Sequence, residues 1–337
     1  LKVLIIKMSS LGDVVHCLPA VTDLLKSEPS AVVDWVVEEA FQEIPRFHPG
    51  VRNVIPVAIR RWRKSWFRHR NEIGEFVKKI RQEHYDLIID AQGLFKSAVV
   101  ANLAHGKVMG FDRASVREPI ASLSYQGRFA VARNLHAVLR QRQLFARVFD
   151  YALSDELDYG LISEVAEPTK DLYFFHGTTW PSKHWPDSAW RELARLCCEA
   201  GYRVVLPYIS EAEQARAEFI ADQIESVIVV PPNSLKKLGE GVSRAAGAVS
   251  VDTGLGHLAA AFNIPLVALY GATSPELTGV TGTRQLSLAS PDLECAPCMN
   301  RVCKYQPESS KIYPPCFESL SPGRVFTSLM QQMRVNE

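Results

Sequence analysis

Short apolar stretches recur along this chain. Each is cut by a polar or glycine-containing turn and followed by a longer stretch with apolar residues at helical spacing. In the first half the pattern predicts strands over 2–7, 32–37, 53–57, 87–90 and 107–111, with helices over 13–27, 72–84, 95–104 and 134–149. In the second half it predicts strands over 171–176, 203–207, 226–230, 247–251 and 265–270, with helices over 187–200, 211–223, 234–245, 255–262 and 322–334. Alternation of this kind packs as parallel sheets flanked by helices, so the expected fold class is α/β. Pro19 is expected to bend the first helix. The stretch 150–169, rich in acids and poor in apolar runs, reads as a linker. The expected organisation is a first domain over 1–155, a second over 156–321 and a last helix over 322–337.

The run Ala248-Val-Ser-Val-Asp-Thr-Gly-Leu-Gly-His257 carries the clearest chemistry. A strand passes through Asp252, Thr253 and Gly254 straight into an apolar helix. Free N–H groups and the positive dipole end at a helix start favour an anion. Glycines 254 and 256 are expected to let backbone approach a ligand. Thr253 and His257 add side-chain donors. Polar groups at the carboxyl end of a strand are where open α/β sheets bind ligands, and a nucleotide phosphate is the expected one. A second loop, Lys7-Met-Ser-Ser-Leu-Gly-Asp13, follows the first strand. Asp13 at the next helix start is either a residue favoured by the helix dipole or a general base beside a substrate hydroxyl. The loop is neither a dinucleotide fingerprint nor a Walker loop. Its likeness to the KMSKS loop of aminoacyl-tRNA synthetases fails on position.

Composition narrows the picture. Apolar residues make up 47% and charged residues 22%, as in a soluble globular protein. No apolar run reaches the ~18 residues of a membrane span, and the amino-terminal strand is too short for a signal-peptide core, so a cytoplasmic location is expected. The net charge of +1 hides an asymmetry: residues 1–150 carry 23 Lys and Arg against 15 Asp and Glu, and residues 151–337 carry 15 against 22. A basic first half suits an anionic partner. Much of it lies in Arg60-Arg-Trp-Arg-Lys-Ser-Trp-Phe-Arg-His-Arg70, six cations among three aromatics. The arginines suit bidentate anion binding, and Trp62, Trp66 and Phe67 suit entry into a membrane interface. Nucleic-acid binding is not expected, since no such fold signature accompanies the segment.

Of seven cysteines, Cys17, Cys197 and Cys198 fall in predicted helices as small buried hydrophobes. Cys295, Cys298, Cys303 and Cys316 form a cluster that in a reducing compartment points to metal more than to disulfides; its spacing is not that of a standard zinc ribbon, and a structural four-thiolate zinc site is one reading left open.

Four motifs in order, Ser9-Ser-Leu-Gly-Asp-Val-Val-His16, Asp90-Ala-Gln-Gly-Leu-Phe-Lys96, Lys183-His-Trp-Pro186 and Asp252-Thr-Gly-Leu-Gly-His257, resemble the lipopolysaccharide heptosyltransferases of glycosyltransferase family 9. Trp35-Val-Val-Glu-Glu39 and the 55–64 stretch look most like the type I branch; the four-cysteine cluster looks more like the type II branch. The resemblance implies a GT-B fold, two Rossmann-like domains facing across a cleft, with the last helix crossing back to the first domain. It implies inverting transfer of L-glycero-D-manno-heptose from ADP-heptose to the inner Kdo of Kdo2-lipid A, at the inner face of the inner membrane of a Gram-negative bacterium. Asp13 matches the family's catalytic aspartate, with a pKa expected near working pH, and Lys183 its phosphate-binding lysine. Thr178, Thr179, Glu213, Asn233, Asp252, Thr253, Gly254 and His257 fall at donor positions. Ser10, Gly12, Arg60, Arg61, Arg63, Lys64, Lys96 and Arg117 fall at acceptor positions. No Asp-x-Asp occurs, so no catalytic metal or other cofactor is expected. The rival readings are transfer to an already heptosylated core and a catalytically silent binding protein.

Overall fold

The computed structural model describes residues 1–161, 169–231, 234–290, 293–305, 310 and 312–334. The chain divides at residue 162 into two compact units, each built on a parallel sheet.

In the first unit the strands are β1 (Lys2–Ile6), β2 (Val32–Glu38), β3 (Val51–Val57), β4 (His84–Asp90), β5 (His105–Phe111) and β6 (Gly127–Phe129), in spatial order β3-β2-β1-β4-β5-β6. The helices are α1 (Leu11–Val15), α2 (Leu18–Ser27), α3 (Glu43–Arg46), α4 (Ile59–Trp62), α5 (Arg70–Ile80), α6 (Phe95–Leu103) and α7 (Ala137–Phe149). The central strand β1 is covered on both faces, which is why Val3 to Ile6 are apolar without alternation and fully buried.

The second unit repeats the plan. Its strands are β7 (Asp171–Phe175), β8 (Arg203–Pro207), β9 (Val227–Val230), β10 (Gly247–Val251), β11 (Leu266–Tyr270) and β12 (Gln285–Ala289), in order β12-β11-β10-β7-β8-β9. Its helices are α8 (Asp187–Glu199), α9 (Glu211–Ala221), α10 (Leu235–Val242), α11 (Gly254–Ala261), α12 (Pro275–Thr278) and α13 (Pro322–Arg334). In both sheets the strand order reverses beside the first strand, between β1 and β4 and between β7 and β10. Loops leaving the carboxyl ends of such neighbouring strands diverge, and a ligand fits in the crevice.

Several expectations change. The helix over 13–27 is two helices, broken at His16 and Cys17; Pro19 sits in the first turn of α2, where its missing N–H costs nothing. The edge strands β6 and β12 escaped the periodicity, being short and half-buried. The first part of the linker belongs to the first unit. The Arg142–Asp23 ion pair (2.6 Å) is buried, and Arg142 spends further donors on the carbonyls of Ser154 and Glu156, both at 2.8 Å. The described residues of α13 pack through Val325 and Leu329 into the second unit's core, beside α8 and β11.

Candidate active site

Each unit presents polar groups at its sheet reversal. In the first, the loop after β1 is stitched to the loop after β4. Lys7, 5% exposed, donates its ammonium to the Ala91 carbonyl at 2.9 Å. The Gln92 carboxamide accepts from the Met8 amide (2.7 Å) and the Ser9 amide (3.3 Å). Ser10 caps α1, and one Asp13 oxygen, Oδ2, accepts from both the Ser10 amide and its hydroxyl at 2.9 Å. Burial pushes the Asp13 carboxyl up, but the Lys7 ammonium, the Ser10 hydrogen bonds and His16 outweigh it and hold the carboxyl below its ordinary value. The expectation of a pKa near working pH is corrected accordingly: the group is a carboxylate throughout the neutral range. Gly12 is buried beneath it. Asp90 is structural. It is fully buried and takes donors from Gln92, Gly93, Ser97 and Tyr125, the last at 2.6 Å.

An arginine cluster escaped the sequence reading. Gly93, at φ +68°, brings the loop of Arg117 against its own backbone, and the Glu118 amide donates to the Gly93 carbonyl at 3.0 Å. Lys96 starts α6 next to that link. Arg133 donates to the Val116 carbonyl, and Arg140 to the Ser115 carbonyl at 2.7 Å. Burial lowers the Arg140 pKa, and the charges of Arg133 and Arg117 lower it further. Three guanidiniums thus repel one another at one place. His136, at the start of α7, lies 6.0 Å from His16, ring to ring. Arg133 and Arg140 stand far from Arg117 in sequence and share no motif with it, so spacing gave no signal.

The basic segment divides into α4, a turn of 3-10 helix (Trp66–His69) and the start of α5. Trp62 is corrected: it is buried against Phe76 at 5.6 Å and unavailable to a membrane. Trp66 and Phe67 stack on each other at 3.6 Å and are 58% and 70% exposed. Arg63 and Lys64 are exposed. Arg60 lies over the Phe41 ring at 5.3 Å. The Arg61 guanidinium pairs with the exposed carboxylates of Glu39 and Glu72.

In the second unit Lys183 follows β7 on a 3-10 turn (Pro181–Lys183). Trp185, two residues on, anchors the segment: it is buried edge-on against Trp190 at 5.1 Å and donates its indole N–H to the Leu320 carbonyl at 3.1 Å. The Lys183 ammonium sits 4.5 Å from the centre of the Trp180 ring and 2.6 Å from Asp252 Oδ2. Asp252 leaves β10. Its Oδ2 also accepts from the Thr273 hydroxyl at 2.6 Å, and His257 Nε2 stands 3.8 Å from Oδ1. Burial works to raise the Asp252 carboxyl, but His257 and Lys183 overcome it and hold it far below the carboxylate range. Thr273, unpredicted, lies after β11, beyond any motif.

Thr178 donates to the Asp252 carbonyl at 3.4 Å, Thr179 is exposed, and Thr253 caps α11 in extended conformation. The first amides of α11, at Gly254 and Leu255, precede its first internal hydrogen bonds and face the same place. Gly256 serves packing instead of the expected ligand approach: a Cβ there would stand 2.4 Å from Ser250 Oγ. Glu213 reaches back from α9, accepting from the Ile209 amide at 2.8 Å, and its carboxylate lies where a Cβ on Gly177 would be, at 2.4 Å. It therefore borders Thr178. Asn233 lies outside the described residues.

Each Rossmann-like unit thus carries polar groups at its sheet reversal, one with a cation near a helix start and one with a capped carboxylate. The chain matches the model of glycosyltransferase family 9 (heptosyltransferase) over residues 73–308 and belongs to that family. It is 49% identical to lipopolysaccharide heptosyltransferase 1 of Pseudomonas aeruginosa, over 98% of this chain and 97% of that one. The solved E. coli heptosyltransferase WaaC with ADP-2-deoxy-2-fluoro heptose is similar at 37% identity and a TM-score of 0.84, covering 98% of this chain and 99% of that chain. Lipopolysaccharide heptosyltransferase 2 of E. coli is more distant, 27% identical over 82% of this chain and 85% of its own length. The GT-B fold and a heptosyltransferase activity in lipopolysaccharide synthesis follow. Among the described residues no helix is long and apolar enough to cross a membrane.

Proposed function

We propose that this chain moves heptose from ADP-heptose to the inner Kdo of Kdo2-lipid A with inversion, as a peripheral enzyme on the inner face of the inner membrane. The observation that carries the reading is the Lys183–Asp252 pair beside the start of α11. A cation held by a buried carboxylate is poised, and it exchanges that partner for a diphosphate oxygen when the nucleotide enters. As the anomeric C–O bond breaks, charge grows on the departing ADP. Lys183, the Thr178 and Thr179 hydroxyls, Thr253 and the α11 amides receive it, each well-placed donor contributing roughly 3–4 kcal/mol. His257 and Thr273 keep Asp252 aimed at Lys183. Glu213 takes ribose hydroxyls.

Asp13 accepts the proton of the attacking Kdo hydroxyl; its lowered pKa keeps it ionised for the task. Ser10 holds it in place. Lys96, Arg117, Arg133 and Arg140 take the carboxylates of the acceptor, since clustered guanidiniums bind such groups in bidentate fashion. Trp66 and Phe67 enter the lipid interface, while Arg60, Arg63 and Lys64 meet anionic headgroups.

The test is ADP release by the purified chain given ADP-heptose with and without Kdo2-lipid A. Release that depends on Kdo2-lipid A supports the reading. Release only with a heptosylated core moves the acceptor outward. No release with either, despite ADP-heptose binding, favours a silent homologue.

A further inference from the structure

The four cysteines at 295, 298, 303 and 316 take no part in the chemistry above. All four line a single cavity, together with Gly271, Ala272, Leu293, Ala296, Pro314, Pro315 and Ser182, and no charged side chain lines it. The Ser182 hydroxyl is spent on the Asn300 carbonyl at 2.6 Å. The room for the centre of a water-sized sphere is about 10 Å³, roughly what a single water needs and far too little for an organic ligand. No disulfide joins the four thiols. Soft thiolates around a monatomic space, with no hard oxygen ligand, select a thiophilic cation such as zinc.

What surrounds the cavity gives it a purpose. The Arg301 carbonyl accepts from the Ser182 amide at 3.2 Å, and the Arg301 guanidinium donates to the Thr179 carbonyl at 3.3 Å. On the other side the Met299 amide donates to the Ala272 carbonyl at 2.8 Å. Ser182 and Thr179 flank the turn that presents Lys183, and Ala272 precedes Thr273, which holds Asp252. The cysteine loop therefore braces both partners of the Lys183–Asp252 pair.

We infer that Cys295, Cys298, Cys303 and Cys316 bind one zinc ion, and that this metal clip positions the loops carrying Lys183 and Thr273. Among the described residues no three metal-ligating side chains already stand at coordinating distances, so binding draws the thiols inward across the cavity. Each thiol that binds the dication as thiolate releases its proton. The positioning half rests on the donor-site reading above; the metal half does not.

The experiment uses the full chain purified under reducing conditions from zinc-replete cells. Zinc is measured by mass spectrometry and by release to a chromogenic chelator. The stripped protein is then titrated with Co2+ and its absorption recorded. The expected result is about one equivalent of zinc, with a thiolate-to-cobalt charge-transfer band and a tetrahedral visible spectrum. Cys303→Ser and Cys295→Ser should lose both signals, and Cys198→Ser, away from the cavity, should keep them. Stripping should weaken ADP binding by about 10- to 100-fold, with recovery on adding Zn2+, as expected for a misplaced binding group. Neither zinc nor a cobalt band in the wild-type chain overturns the metal site. So does metal retained by both variants, or a pair of thiols found joined after reduction. Metal bound with ADP affinity unchanged on stripping overturns the positioning half alone. Absence of ADP binding with or without zinc instead defeats the donor-site reading, while the metal content still decides the site.

Discussion

The two units reverse their strand order at equivalent points, yet the groups placed there are opposite in construction. At the β7/β10 reversal a lysine, a carboxylate, a histidine and a threonine neutralise one another in a mostly buried network. At the β1/β4 reversal the carboxylate is held by the Lys7 charge and by its own helix start, and elsewhere in the first unit Arg133 and Arg117 crowd Arg140. In the proposed reaction the first arrangement stays closed until a nucleotide opens it. The second carries excess positive charge and gains most when an anion arrives. The same scaffold has thus been used once to store a charge pair and once to leave charge unpaid. The difference suits the proposed ligands: a diphosphate that gains further negative charge as it leaves, and an acceptor whose carboxylate charge does not change during transfer.

Substitutions should separate the two sites. The largest effect is expected at Asp13: Asp13→Ala should cut turnover by roughly 10²–10⁴, with ADP affinity unchanged. Loss of the cap should cost only about 0.5–2 kcal/mol of stability. Steady-state rates and calorimetry on the same preparation check this, and unchanged turnover would remove Asp13 from the chemistry. Lys183→Ala should lower turnover by roughly 10²–10³, and unlike the first it should also weaken ADP binding and lower the melting temperature, because Asp252 is left buried without its cation. If only turnover fell, the stored pair would not be structural. Arg140→Gln and Arg133→Gln should raise the KM for acceptor by roughly 10-fold or more, as for a lost charged hydrogen bond, while the KM for donor stays put. An equal rise in both would erase the contrast between the sites.

Acid should strain both carboxylates. The folded pKa values of Asp13 and Asp252 lie below the ordinary 3.8. Each side chain therefore binds its proton less tightly folded than unfolded. Its stabilising contribution is complete above about pH 3.8 and is withdrawn as the pH falls toward the folded value. Acid unfolding of Asp252→Asn should be shallower than that of the parent chain in this window; parallel curves would contradict the assignment. The smallest effect on the fold is expected at the exposed ring pair. Trp66→Ser with Phe67→Ser should change stability by no more than about 0.5 kcal/mol while reducing sedimentation with anionic vesicles. Unaltered sedimentation would show that these rings do not meet lipid.

The alternation of short apolar runs with helical spacing was enough to foresee two parallel sheets, because buried parallel strands leave continuous hydrophobic runs. It could not show β6 or β12, whose edge positions need little burial. The switch-point loops were legible because their residues are contiguous: Asp252 to His257, Lys183 to Pro186, Ser9 to Asp13. Thr273, Arg133 and Arg140 were not, since each reaches its partners through tertiary folding and carries no local pattern. Trp62 was misread for a related reason. Among basic neighbours it looks like an anchor for lipid, and only the packing of α5 reveals that Phe76 covers it. The ion pairs of Arg61 were not legible either, because Glu39 and Glu72 lie far from it in sequence.

The Lys183 ammonium resting on the Trp180 ring has an optical consequence. A cation over an indole perturbs the excited state of that ring. A diphosphate that draws the lysine away will change the emission of Trp180, while Trp185 and Trp190, sealed in the core, form a steady background. With Lys183 in the proposed donor role, Trp180 reports nucleotide occupancy, and binding and release are followed in real time on the unlabelled chain.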